Sequence, residues 1–177
     1  MPHSIERATS GRAACRGCGA KIAAKEWRLG ERLPNPFADG EGAEMTHWYH
    51  LTCGAFRRPE AFLEALAAAP VGELTDLADR AMLEHEAALG ITHRRLPRVN
   101  TADHAPTGRA TCRACKNLID KGAWRIGLMF YEDGRWGGSG YIHASCAAEY
   151  LETTAIQPRL RYFSPSLTED DLREMGL

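Results

Sequence analysis

Six cysteines fall into two sets of three, and each set closes on one histidine in the same frame. Cys15-x2-Cys18 is followed by His50-x2-Cys53, and Cys112-x2-Cys115 by His143-x2-Cys146. Three thiolates and one imidazole are the complement of a closed tetrahedral structural zinc site. No cysteine is left over, and a redox pair would leave each His-x2-Cys unexplained. The chain is therefore expected to carry two Zn2+ ions, one per set. Each metal-binding stretch has about 45 residues, near the size at which a core alone is marginal and a metal is needed. Structural zinc contributes roughly 10–16 kcal/mol of apparent binding energy in finger peptides, which is in effect folding energy.

The frame is an internal repeat. Cys15 to Cys112 and Cys18 to Cys115 are offsets of 97 residues, whereas His50 to His143 and Cys53 to Cys146 are offsets of 93. Flanking text repeats as well: Gly11-Arg12-Ala13-Ala14-Cys15 against Gly108-Arg109-Ala110-Thr111-Cys112, and Trp27-Arg28-Leu29-Gly30 against Trp124-Arg125-Ile126-Gly127. The change of offset falls between Gly30 and His50. A length difference confined to one stretch is how a surface loop on a fixed scaffold behaves.

The net charge of −1 hides an uneven distribution. Residues 1–58 carry nine Lys/Arg against six Asp/Glu, and 107–150 carry six against four. Residues 59–106 carry four against eight, and 151–177 three against five. The metal-binding stretches are mildly basic and the segments after them acidic, and local charge is what phosphate binding responds to. No apolar run is long enough to span a membrane, and no secretory signal pattern is present. The cysteines read as metal ligands in a reducing compartment. The expected location is cytoplasmic, associated with the nucleoid in a bacterium or within the nucleus in a eukaryote.

The expected fold class is α+β, with two small zinc-stabilised modules, each a short antiparallel sheet with following helices. Domain boundaries are expected at 1–92 for the first module, 93–106 for a linker with two prolines, and 107–177 for the second. In the first module a strand is expected around Lys25–Leu33, with Trp27 and Leu29 inward and the Arg28 guanidinium outward. Leu33–Glu44, rich in Pro and Gly, reads as a loop. His47–Tyr49 reads as a returning strand, and His50–Cys53 as the start of a helical turn. Helices are expected over Pro59–Ala69, Gly72–Leu89 and Ala144–Thr154, and an acidic one starting at Thr168 as N-cap. His47 competes with His50 as a ligand, but the repeat selects His50 and leaves His47 as a half-buried strand residue. His3, His85, His93 and His104 have no counterpart as ligands and read as solvated.

Four protein ligands leave no open coordination position of the kind a catalytic zinc keeps. No nucleophile–base pair or Gly-rich phosphate loop is visible, so the chain reads as a non-enzyme with no small-molecule substrate. Arg12/Arg109 and Arg28/Arg125 recur at identical offsets beside the metal frame. Either they are solvated or packed on Trp27 and Trp124, or they hold anions, for which the planar guanidinium fork is suited. Phe37 and Met45 in the first variable loop, and Met129, Phe130, Tyr131 and Trp136 in the second, either complete a small core or stack on unpaired bases.

The string Gly11-Arg12-Ala13-x-Cys15-x2-Cys18, the strand with a central arginine, and His47-Trp48-Tyr49-His50-x2-Cys53 closely resemble the poly(ADP-ribose) polymerase-type zinc finger. The second copy, with Gly140-Tyr141-Ile142-His143, departs from the aromatic pair and keeps the ligands. The resemblance implies recognition of DNA strand breaks (nicks, gaps or ends) by structure and not sequence, in damage sensing or repair. It places the backbone contacts on Arg12, Arg28, Arg109 and Arg125, and base stacking on Phe37, Met45, Met129 and Trp136. The implied partners are damaged double-stranded DNA and a repair enzyme acting in trans. No ADP-ribosyltransferase domain fits in the remaining residues, so transferase activity is not implied. A protein-interaction adaptor and an RNA or single-strand binder are the alternatives on the same scaffold.

Overall fold

A computed structural model of the protein describes residues 2–35, 43–70, 74, 76–132 and 134–177. The chain divides into two compact units, Met1–Thr92 and His93–Leu177. Each contains a three-stranded antiparallel sheet whose strands are ordered as in the sequence.

In the first unit, β1 (Ser4–Arg7) pairs with β2 (Trp27–Pro34), which pairs with β3 (Glu44–His50). Between β1 and β2 the Cys15/Cys18 knuckle folds back as a small hairpin through the Ala14–Lys21 bridge. Ile22, fully buried, sits behind it. Helix α1 (Leu51–Arg57) follows β3 without a loop and crosses β2 at Gly54. A Cβ there would stand 2.8 Å from Leu29 Cδ2, so only glycine permits this approach. Helices α2 (Pro59–Ala68) and α3 (Arg80–Thr92) complete the unit, burying Phe62, Leu66, Leu83 and Ala87. Pro59 opens α2 at the one position where a missing N–H costs nothing.

In the second unit, β4 (Val99–His104), β5 (Trp124–Glu132) and β6 (Arg135–His143) form the sheet. A 3-10 turn over Ala144–Cys146 leads into α4 (Ala147–Leu151), followed by α5 (Gln157–Phe163) and α6 (Glu169–Glu174). The Thr168 hydroxyl accepts from the Asp171 N–H at 3.2 Å and the Asp171 carboxylate accepts from the Thr168 N–H at 2.8 Å, closing a capping box at α6.

Several expectations change. Residues 99–104, expected as linker, are strand β4, and β1 is likewise a strand the sequence pattern did not announce. The expected helix over Gly72–Leu89 begins only at Arg80, because Leu74 and Leu77 reach the core from a turn. The helix expected to run to Thr154 ends at Leu151, where Glu152 takes a left-handed conformation (φ 60°). The second variable loop is no loop. Glu132 pairs with Arg135, so two residues join β5 to β6, and Gly134 adopts φ 75° as a tight hairpin requires. The expected variable loop of the second unit is thus continuous strand on both sides of the turn. In the first unit β2 runs on to Pro34 and β3 starts at Glu44; Phe37 lies outside the described residues.

Candidate metal centres and nucleic-acid face

The structure brings Cys15, Cys18, His50 and Cys53 together, and likewise Cys112, Cys115, His143 and Cys146, with the ligand atoms of each set all within 4.8 Å of one another. The donors come from two places in each unit: the knuckle between the first two strands, and the end of the third strand with the helical turn after it. Cys18 Sγ lies 3.4 Å from His50 Nδ1, and Cys115 Sγ 3.4 Å from His143 Nδ1. Tetrahedral zinc with bonds of about 2.3 Å to sulfur and 2.0–2.1 Å to nitrogen sets that edge at about 3.5 Å, so the donor sets fit the ion.

The imidazoles are oriented from behind. His50 Nε2–H donates to the Lys21 carbonyl and His143 Nε2–H to the Leu118 carbonyl, both at 3.2 Å. Nδ1 is thereby left as the metal-facing nitrogen. Backbone N–H groups support the sulfurs: Gly17 and His50 donate to Cys15 Sγ, and His143 to Cys112 Sγ, each at 3.3 Å. A hydrogen bond with the Cys53 thiol draws the Cys15 pKa down to about 3, whereas burial pushes Cys18 up. In the second set burial and the neighbouring thiols push Cys146 up to about 11. Three thiolates in one shell repel one another, and a divalent cation removes that conflict. Each set can hold one zinc ion, and its four protein ligands close the shell.

His47 is no ligand. It is buried at 4% exposure, deeper than a half-buried strand residue, and burial lowers its pKa. His3 is half-buried and accepts from the Arg32 N–H at 3.0 Å, while exposed His104 lies against the Trp124 ring at 3.9 Å.

The arginines divide into two kinds. Arg28 and Arg125, expected to point outward, are each only 7% exposed. Arg28 donates to the Glu6 carboxylate at 2.6 Å and lies 3.5 Å over the Trp48 ring. Arg125 makes a bidentate pair with Asp103 at 2.8 and 3.0 Å and lies 3.7 Å over Tyr141. The Asp103 hydrogen bond raises the Arg125 pKa further. Acid, guanidinium and ring thus form one repeated stack, with Glu6/Asp103 at offset 97 and Trp48/Tyr141 at offset 93. The rings are not Trp27 and Trp124; those carry Arg7 (4.4 Å) and His104 instead. Directly across from Trp48 and Tyr141 stand Gly30 and Gly127; a Cβ on Gly30 would come within 2.7 Å of the Trp48 ring, whereas one on Gly127 would meet the Thr101 hydroxyl first, at 3.3 Å.

Arg12 and Arg109 are exposed, with no hydrogen-bonding or ionic partner among the described residues. A second exposed pair at the same offset went unnoticed in the sequence: Arg16 and Arg113, inside the two knuckles. Their backbone N–H groups donate to the Trp48 and Tyr141 carbonyls at 2.8 Å, which docks each knuckle on the third strand of its sheet. The 97-residue offset was the signal that could have found them, as it could have found Glu6 and Asp103.

Of the apolar residues, Met45 is a half-buried β3 residue opposite Leu33. Met129 and Trp136 are half-buried strand residues, with Trp136 against Tyr131 at 5.1 Å. Phe130 is the exposed one, at 43%, opposite Gly137, and Arg98 lies 5.2 Å over its ring.

Comparison with known proteins agrees with this geometry. A small treble of β-strands around a Cys3His centre defines a zinc finger, and residues 6–86 match the family model described as "Poly(ADP-ribose) polymerase and DNA-Ligase Zn-finger region". The chain is similar to a poly(ADP-ribose) polymerase of Drosophila melanogaster, at 29% identity over 84% of this chain and 16% of the relative. It is also similar to poly(ADP-ribose) polymerase 1 of Gallus gallus, at 29% identity over 71% of this chain and 13% of the relative. A third relative is polynucleotide 3'-phosphatase ZDP of Arabidopsis thaliana, at 24% identity over 82% of this chain and 24% of the relative. The chain thus spans a quarter or less of these relatives. Residues 6–86 are thus similar to the PARP-type zinc finger, and the second Cys3His centre repeats the same ligand frame.

Proposed function

We propose that the protein binds damaged double-stranded DNA through its two fingers, recognising nicks, gaps or ends by structure, and that it does so without catalysis of its own. The observation that carries this reading is the repeated arginine arrangement on the two knuckles: exposed Arg12, Arg16 and Arg109, whose side chains have no hydrogen-bonding or ion-pair partner among the described residues, beside a guanidinium–aromatic stack in each unit. Unpaired guanidinium groups on a rigid frame suit phosphate oxygens. Arg28 and Arg125 take a different part from the one expected of a free cation. Held between a carboxylate and a ring, each is preorganised, with its charge largely balanced within the protein. The exposed Phe130 edge offers a surface for a base unstacked at a break. A cut backbone bends at lower cost than an intact one, so holding both flanks selects broken duplex by deformability.

The relatives' names support this reading: two are polymerases of ADP-ribose and one a polynucleotide phosphatase. Among the described residues no helix is long and apolar enough to cross a membrane. We place the protein where the genome lies, nucleoid or nucleus, handing the break to a repair enzyme in trans. The test is affinity for nicked, gapped, blunt-ended and intact duplex and for single-stranded RNA at physiological salt, with zinc stoichiometry on the same sample. The expected order puts nicked or gapped duplex first. Arg12→Ala and Arg109→Ala should each weaken binding and reduce the salt slope by about one. Equal affinity for nicked and intact duplex would overturn the proposal.

A further inference from the structure

The second unit contains a recess of about 220 Å3 lined by Arg95, Arg113, Ala114, Glu149 and Tyr150. It is smaller than a typical small-molecule pocket and strongly polar in its lining groups, a size that suits a phosphoryl group and little more.

Its two cations are placed by specific contacts. The Arg113 N–H is fixed to the Tyr141 carbonyl, and its side chain lies over Gly140, where a Cβ would come within 3.1 Å of Arg113 Nε. Gly140 has φ 86°, a conformation that disfavours any side chain. The counterpart of Gly140 in the first unit, at offset 93, is the buried His47. The path that Arg113 takes thus exists because a glycine stands where the first finger has an imidazole. Arg95 Nη1 donates to the Tyr150 carbonyl at 3.0 Å, lies 3.8 Å from Glu152, and its guanidinium sits 5.0 Å from the Tyr150 ring. Its Nε and Nη2 are uncommitted among the described residues. Lys116, itself at φ 67°, returns its ammonium to the Arg113 carbonyl at 2.7 Å and adds to the local positive charge.

Glu149 lines the same recess and makes no ion pair with either arginine. A backbone phosphodiester carries one negative charge, and the carboxylate offsets part of what the two guanidinium groups gain from it. A phosphomonoester carries about −1.5 to −2 charge at pH 7, so the two guanidinium groups gain more from it than from the diester. With Lys116 nearby the recess keeps a net positive charge, and that charge favours a monoester over a diester. From this arrangement we infer that the second finger reads a terminal phosphomonoester of a broken strand, with Arg95 and Arg113 on its oxygens and Glu149 limiting the affinity. This deepens the break-binding reading and rests on it.

The experiment uses the full-length zinc-loaded protein and nicked duplexes bearing a 5'-phosphate, a 3'-phosphate or only hydroxyls at the nick. One of the phosphorylated nicks should bind roughly tenfold tighter than the unphosphorylated one, the size of one strong charge-assisted contact. Arg113→Gln and Arg95→Gln should each abolish that ratio while leaving the affinity for the hydroxyl nick and the zinc content unchanged. Glu149→Gln should enlarge the ratio. Arg95→Gln lies far in sequence from the zinc ligands, so it holds the test if Arg113→Gln perturbs the metal. No difference between phosphorylated and hydroxyl nicks, with nick-over-intact preference retained, would overturn this inference alone. Loss of that preference in the unmodified protein would instead overturn the break-binding reading. Equal weakening on all nicks by either arginine variant, or a smaller ratio in Glu149→Gln, would also overturn it. So would removal of the ratio by deoxyadenosine 5'-monophosphate at a concentration matching the DNA, which would assign the recess to a free nucleotide.

Discussion

The two fingers share one metal frame and diverge wherever that frame does not reach. Both knuckles dock on the third strand of their sheet, both histidines are held by a backbone carbonyl, and both sheets carry the acid–arginine–ring stack. Past those contacts the first unit runs straight from β3 into a continuous helix crossed at Gly54, while the second inserts a 3-10 turn and has Ala147 at the equivalent place. Cys53 is fully buried, Cys146 only partly so. Even the strained positions are exchanged. Left-handed Gly19 and Lys25 of the first knuckle answer to Lys116 and Gly122 of the second, also left-handed. Backbone conformation has been kept while the residue cheapest for it has not; in both units the same hydrogen bonds hold the turns, with the N–H of Gly19 and Lys116 donating to the Cys15 and Cys112 carbonyls and that of Lys25 and Gly122 to the Ala8 and Ala105 carbonyls.

The largest break in the comparison should come from removing zinc. Chelation is expected to unfold both sheets, since each site supplies roughly 10–16 kcal/mol of apparent folding energy. The less enclosed second site should lose its ion first. A colorimetric chelator should therefore show two release phases, the faster one abolished by Cys112→Ala; a single phase, or the opposite assignment, would mean that burial of the fourth ligand does not control release.

Next is the helix crossing. Gly54→Val forces a side chain onto Leu29 and should destabilise the first unit by about 1–3 kcal/mol, typical of overpacking. The mirror change Ala147→Gly should cost the second unit about 1 kcal/mol. Urea midpoints followed separately for the two units would show whether the glycine is needed on one side only.

Smaller effects belong to the polar contacts. Thr168→Ala should cost the second unit about 1 kcal/mol through loss of the N-cap, leaving the first unit's transition where it was. Glu6→Gln and Asp103→Asn should each cost about 1 kcal/mol or less, because the carboxylates are partly solvated. They should also leave Arg28 or Arg125 uncompensated, so that the salt dependence of DNA binding steepens by up to about one. A bidentate pair should matter more than a single contact, so Asp103→Asn is expected to exceed Glu6→Gln. Equal changes would show that the ring beneath, and not the acid, holds the guanidinium.

Sequence alone determined the ligands, their grouping, the repeat and the α+β class, because metal coordination imposes residue types at fixed spacing and leaves its record in the text. It also located where the two copies differ in length. Tertiary structure decided what that text left open. Strands β1 and β4 are short edge strands of four and six residues, recognisable only through their pairing with a partner strand distant in sequence. Leu74 and Leu77 carry helical spacing yet reach the core from a turn, since apolar periodicity records burial and not conformation. The strand alternation that placed Arg28 outward was sound as geometry. It could not foresee that Glu6 and Trp48, 22 and 20 residues away along the chain, would cover that face and turn a free cation into a paired one.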